Sequence, residues 1–387
     1  MMHRIWMIIN HELHHYVSRP LYLLTMLVAP IFVCFFFLSL MDEGAPDDMP
    51  IAMVDQDCSK TSRNLARTLN TFKGTHIALQ AKDFTEARRA VQRREVYGIF
   101  VIPENFECDI MASRQPKLTF YTNGAYFIPS SLQMSDMTTM CVLAAGAASR
   151  SVLLAKGATD EQAQALLQPI VVDRHTLSNH STNYPVYLCT TIMPAIYNIL
   201  IMLLTVYLLG MEVKNGHSRT LLEMSNGNIL LALVAKLLPS TVIFTLVLMG
   251  MNSVMYHYLG FPCENGILRM HITSLLLVLA SQSLSIFFYG LLPIMRIALS
   301  LASFWGVMSI TMSGFTFPTS AFPNVMKIWP NLFPMRHHFL IYNDQALNGY
   351  DLYYSMPHIA ALLAFTLLPI LVMGRIQRVY EEMSYEL

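Results

Sequence analysis

Six runs of about 20 residues carry no formal charge: Pro20–Leu40, Val186–Met211, Leu237–Tyr258, Ile272–Leu292, Ile297–Phe317 and Ser355–Gly374. A helix of that length crosses the hydrocarbon core of a bilayer. Prolines inside the runs (Pro30, Pro194, Pro239, Pro369) are tolerated in membrane helices. Composition agrees. Of 387 residues, 54% are hydrophobic and 13% charged, against about 25% charge in a soluble domain. Mean hydropathy is +0.44. A soluble globule is excluded for want of polar surface, and a disordered chain by the apolar and aromatic content. The formal net charge of zero gives no basic excess for nucleic acid. The expected fold class is an α-helical integral membrane protein with six transmembrane helices in a 1 + 5 order and an inserted α/β extracytoplasmic domain.

Basic residues in short loops set the orientation. With the N-terminus inside, Arg4, Arg19, Lys214, Arg219, Arg296, Arg375 and Arg378 fall inside, and Arg269, Lys327 and Arg336 outside. Both termini are then cytoplasmic. The expected organisation is an amphipathic interface helix over residues 1–19, with Ile5, Ile9, Leu13 and Tyr16 on its apolar face, and a first span over 20–40. An external α/β domain follows over 41–185, then a five-helix transmembrane domain over 186–374 and a cytosolic tail over 375–387. Residues 212–228 form a cytosolic stretch and 313–350 an outer re-entrant segment.

Within the external domain, Ile51–Asp55, His76–Gln80, Val96–Ile102 and Lys117–Thr122 read as strands. Helices start after the caps Ser59 and Asp83, and a third has Pro103 in its first turn. A long helical stretch follows Pro129, to about Leu167. Asp136 and many polar residues argue against its being a seventh span. Cys58, Cys108 and Cys141 share this domain, where one disulfide or free thiols are equally compatible.

No GxxxxGK[ST] loop occurs, and no Gly-Lys dipeptide, so ATP hydrolysis by that route must come from another chain. His11-Glu12-Leu13-His14-His15 fits HExxH, which on a helix could hold zinc with Glu12 as base. No third ligand follows at a matching spacing, so the expectation is histidines flanking an interface helix, with no metal. In Glu212–Arg219, Gly216 can turn the chain and Ser218 can cap the next helix. Lys236 enters its span about one turn in and can snorkel. Gly314 and Pro318 bracket the end of the fifth run, and the prolines and aromatics beyond suggest interfacial or re-entrant backbone. No acidic residue lies within a span, which argues against ion coupling. A translocation path would be lined by groups such as Tyr197, Asn198, Thr205, Asn252, Ser281, Gln282 and Ser285.

Three regions carry a resemblance over nearly the whole chain: Ile51–Arg63 (IAMVDQDCSKTSR), Glu212–Lys236, and Ser313–Arg336 with its GFTFP and FPMR segments. Together with the order of spans, they are similar to the membrane subunits of bacterial ABC-2 type exporters with a large periplasmic domain between the first two spans. His217 departs from the family's usual threonine, and Ala235 from its glycine. The resemblance implies a separate ATP-binding subunit docking on Glu212, Lys214, Gly216, Ser218, Thr220, Leu221 and Glu223. It implies an outer gate at Gly314, Phe315, Phe317, Pro318, Pro334 and Arg336. It also implies a second membrane subunit, identical or paralogous, contact with membrane lipid, and a periplasmic adaptor with an outer-membrane channel. The chain would sit in a bacterial inner membrane, use no cofactor, perform no chemistry itself, and move an amphiphilic or hydrophobic small molecule outward. Two rivals stand beside this: a membrane metalloprotease built on His11, Glu12 and His15, and a membrane-anchored sensor or scaffold without transport.

Overall fold

The computed structural model describes residues 2–41, 47–112, 114–167 and 184–382. It divides into two compact units, Met1–Asp42 with Thr176–Leu387, and Glu43–His175. In chain order, helix α1 spans Met2–Ser18 and α2 spans Pro20–Leu40, with a π-helical stretch at Leu24–Val28. The inserted unit follows: β1 (Met49–Asp55), α3 (Lys60–Leu69), β2 (Thr75–Ala81), α4 (Phe84–Gln92), β3 (Gly98–Ile102), α5 (Phe106–Met111), β4 (Thr119–Thr122), α6 (Phe127–Ala155) and α7 (Asp160–Leu167). The helical unit resumes with α8 (Tyr184–Lys214), α9 (Ser218–Met224), α10 (Ile229–Tyr258), α11 (Ile267–Leu291), α12 (Met295–Met312), α13 (Pro334–Tyr342), α14 (Leu352–Leu371, ending in a 3-10 turn) and α15 (Met373–Glu382).

In the inserted unit the sheet order is β2-β1-β3-β4, with β4 antiparallel and the other pairs parallel. Side chains alternate across a strand. Ile51, Met53, Phe100 and Ile102 therefore meet α3, α5 and α6 on one face, while Ala52, Val54 and Ile99 meet α4 on the other. Ser59 and Asp83 cap α3 and α4 by accepting from Ser62 N and Glu86 N. Pro103 lies outside α5, contrary to the sequence expectation. That helix starts only after Asn105, which adopts φ +59. All six cysteines are free.

Among the described residues seven helices, not six, are long and apolar enough to cross a membrane. The additional one, Pro129–Leu154 within α6, qualifies by composition. Its first half is nevertheless tied to the sheet. Gln133 donates to the Pro50 carbonyl (3.3 Å), Asp136 accepts from Thr75 (2.8 Å), and Met137 and Met140 are fully buried.

The helical unit is built around α8 and α11, whose apolar side chains fill the core. Two boundaries and one helix face differ from the sequence reading. Helix α10 begins at Ile229, so Lys236 sits two turns inside it. Helix α12 stops at Met312. The inward face of α1 is Ile8, Glu12 and Tyr16, whereas Leu13 is exposed.

A Cβ on Gly98 of β3 would lie 2.8 Å from the Gln133 side chain and 3.2 Å from the Tyr121 carbonyl. Gly98→Ala is expected to cost about 1–3 kcal/mol through overpacking, read as a lowered thermal midpoint of the purified chain.

Candidate functional site

The most unusual feature of the helical unit is a charged cluster where α1, α8 and α10 meet. The Lys236 ammonium donates to Glu212 Oε1 at 2.5 Å and to Glu12 Oε1 at 2.9 Å. Lys236 is 1% exposed, Glu12 2% and Glu212 8%. An ammonium this deep cannot reach water, so the snorkelling expectation is replaced by pairing. The pairing explains why a lysine is tolerated inside an apolar helix. Two carboxylates share one cation, and Glu12 Oε2 has no partner among the described residues. Burial pushes the Glu12 carboxyl above its ordinary value; the neighbouring Lys236 pulls it down and Glu212 pushes it up again. Glu12 is thereby committed to Lys236, not aimed with His11 and His15 at a common centre. His11 is exposed, with its ring 6.5 Å from that of His15. Among the described residues, no group of three or more His, Cys, Asp or Glu could hold a metal ion.

The segment beyond α8 turns at Gly216 (φ +73) into the short helix α9, then at Asn226 (φ +61) and Gly227 (φ +77) into α10. The Asn228 side chain caps α10 by accepting from Leu231 N. Ser218 is the first helical residue of α9, not its cap; His217 occupies the cap position and makes no side-chain cap bond. The residues grouped in the sequence divide by exposure. Lys214, Gly216, Thr220 and Glu223 are exposed, while Glu212, Ser218 and Leu221 are buried. Arg219 donates to the Glu381 carbonyl of α15 (2.9 Å), tying α9 to the C-terminal helix. The sequence shows Glu12 only as part of the HExxH match and does not pair it with Lys236. The signal was available: a single lysine inside an apolar helix needs an acidic partner.

At the other end of the helical unit, residues 313–333 form three short 3-10 turns before α13. Gly314 takes φ +101, and a Cβ there would meet Arg336 and Thr319 at 3.4 Å. Phe315 is buried, and its carbonyl accepts from Tyr187 OH. Phe317 is exposed and stacks on Phe322. Pro318 precedes the first turn, and Pro334 is buried at the start of α13. Arg336 donates to Thr319 (3.1 Å) and Asn331 (3.2 Å). The six residues thus lie along this connection and the start of α13, where Arg336 bonds to Thr319 beside Gly314.

The polar side chains expected to line a path are instead buried and bonded. Ser281 donates to Asn198 (2.5 Å), Asn198 to Ser309 (3.4 Å), Asn252 to Ser274 (2.9 Å), and Gln282 to Ser240 (3.3 Å). Tyr197 donates to the Met26 carbonyl, and Thr205 and Ser285 bond back to their own helices. Short polar side chains at helix contacts hold membrane helices together. An apolar groove of about 670 Å³ opens between α2, α8 and α12, lined by Thr25, Leu203, Tyr207, Leu299 and Phe304 among others.

Lys236→Met would leave two buried carboxylates without their cation. A loss of about 3–5 kcal/mol is expected, read as a fall in thermal midpoint, and Glu12→Gln together with Glu212→Gln should recover most of it. The raised Glu12 carboxyl means that the folded chain holds this proton more tightly than the unfolded chain. Its contribution to stability is complete below the unfolded-state value and is lost as pH rises through the folded-state value. Glu12→Gln should flatten the decline of thermal midpoint on alkalinisation.

Residues 20–374 match the family described as ABC-2 family transporter protein. The linearmycin resistance permease protein LnrN of Bacillus subtilis (strain 168) is 27% identical over 119 residues, which is 31% of this chain. The match spans 30% of the length of that relative. The nearly full-length match and the multiple membrane-capable helices agree, and the chain belongs to the ABC-2 family of transporter proteins as a transmembrane permease.

Proposed function

We propose that this permease is the membrane subunit of an ATP-driven exporter, energised by a separate ATP-binding chain. The observation that carries the reading is α9 and the turn that leads into it: Lys214 at the end of α8, Gly216 in the turn, and Thr220 and Glu223 on α9 are exposed, and the root of this segment is locked to the bundle by the buried Glu12–Lys236–Glu212 cluster. The chain has no phosphate-binding loop of its own. Closure of the ATP-binding subunits presses on α9, and the cluster passes that displacement to α1 and α10 as well as α8. Such a push shifts a conformational equilibrium only through contacts that differ between the two states. Exposed side chains make those contacts, and buried Glu212, Ser218 and Leu221 act through them.

The topology of this reading has six spans, with both termini and α9 inside and the inserted unit outside a bacterial inner membrane. Helix α6 is not counted. Its residues up to Met140 belong to the core of the inserted unit, and the remaining stretch, Cys141–Leu154, is about 21 Å long at 1.5 Å per residue. A hydrocarbon core is about 30 Å thick. The second membrane subunit faces α8 and α12, and the apolar groove between α2, α8 and α12 suits an amphiphilic or hydrophobic cargo. The relative's name links it to linearmycin resistance, in keeping with a permease that clears a small molecule. Gly314, Phe315, Phe317, Pro318, Pro334 and Arg336 form the outer gate, and a periplasmic adaptor with an outer-membrane channel receives the cargo beyond it.

Four outcomes test this. Purification of the tagged chain in gentle detergent should retain a stoichiometric chain with a phosphate-loop motif by mass spectrometry; repeated recovery of this chain alone would contradict the reading. Glu223→Arg and Thr220→Trp should lower export at least tenfold with normal membrane insertion, and Gly314→Leu should block export while partner binding persists. In a chain otherwise free of cysteine, Val142→Cys should react with an impermeant maleimide applied from the outside.

A further inference from the structure

We propose that the inserted unit carries a binding site for an anionic amphiphile, in a groove between α6 and the connection from α5 to β4. The groove encloses about 1360 Å³ and lies wholly within this unit. Its floor is the exposed side of one core cluster, with Leu65, Phe106, Phe120 and Met140 among its residues. One wall is the face of α6 that continues from Met140 through Ala144 and Ala147, at the spacing of one helix face. Small side chains there leave room where leucines would fill the space. The size exceeds the roughly 300–1,000 Å³ typical of drug-sized ligands and suits a long hydrocarbon chain.

The charge at this groove has one sign. Two charged side chains line it, Arg114 and Lys117, both basic and both exposed. Arg114 pairs with Asp109 at 3.3 Å, whereas Lys117 has no ion-pair partner among the described residues. Met111 and Leu143, 71% and 56% exposed, leave apolar surface on the same groove. An apolar trough with a cationic edge is complementary to a hydrocarbon tail with a carboxylate or phosphate head. A second copy of the chain is a poor occupant: a two-fold contact matches a patch with itself, which would bring Arg114 and Lys117 toward their own counterparts. This site requires neither ATP nor a partner subunit, so it stands or falls independently of the exporter reading.

The probe is 11-(dansylamino)undecanoic acid, titrated into the full chain in phosphatidylcholine nanodiscs without nucleotide. A saturable fluorescence rise with one site per chain is expected. Lys117→Glu should weaken it at least tenfold, Ala144→Trp should abolish it, and the methyl ester of the probe should bind at least fivefold more weakly. Lys117 is exposed and outside the core, so its reversal tests the site even if Ala144→Trp fails to fold. Displacement by phosphatidylglycerol built into the disc would assign the site to a membrane lipid headgroup. Displacement only by dodecyl phosphate added in solution would assign it to a free amphiphile. Equal binding by wild type and Lys117→Glu, or by acid and ester, overturns the proposal. So does efficient cross-linking of Lys117→Cys to a second copy in the same discs.

Discussion

One ammonium group holds the end of the helical unit together. Lys236 reaches Glu12 from 224 residues earlier in the chain and Glu212 from 24 residues earlier, and all three side chains are buried. Such a cluster is poor evidence for stability in itself, since the desolvation of two carboxylates and a cation offsets much of their attraction. Its effect is specificity of arrangement. Any displacement that separates α1, α8 and α10 would leave a charge without its partner in an apolar setting, so these helix ends move together or at high cost. The contacts that join the middle of the bundle are neutral and weaker. Asn198, Ser281 and Ser309 join α8, α11 and α12, and Ser240, Thr241 and Gln282 join α10 to α11. The helical unit therefore has a rigid charged end and a middle stitched by hydrogen bonds that can be exchanged more cheaply.

What could be read from the sequence was whatever depended on neighbours along the chain. The caps at Ser59 and Asp83 are bonds spanning three residues, and both form. The strands are short apolar runs between turn residues, and all four pair in one sheet. The errors lie where distant residues decide. Ile5, Ile9, Leu13 and Tyr16 have helical spacing, but Lys236 selects the face that carries Glu12, so Ile8 turns inward and Leu13 outward. Ser218 has the right chemistry for a cap, but the chain enters α9 one residue earlier and buries it. The HExxH spacing is legible, and no third ligand follows it at a matching spacing. The actual partner of Glu12 could be found only by asking what neutralises a lysine inside an apolar helix.

Helix α6 shows that composition alone does not separate a span from a helix that covers a sheet. Its residues are apolar enough to cross a bilayer, yet one half covers a sheet and the other presents alanines, Leu143 and Val142 to the surroundings. Hydropathy sums over both environments and reports their average. Gln133, Asp136, Met137 and Met140 resolve the ambiguity for the first half, because bonds and packing to the sheet fix where that half must be.

The shortness of α9 bears on how a force would travel. Helices well under a dozen residues are marginal in water, and α9 has seven. It persists because Leu221 and Leu222 are buried and Arg219 is held by the last turn of α15. A helix stabilised by its supports rather than by its own turns cannot be pushed aside independently of them. In the proposed coupling, pressure on Thr220 or Glu223 would pass to α15 through Arg219 and to α8 through Gly216, where the Glu212 carboxylate is already bound to Lys236. The displacement would then reach α10 and α1 within one hydrogen-bond length, before any of the neutral contacts deeper in the bundle need to change.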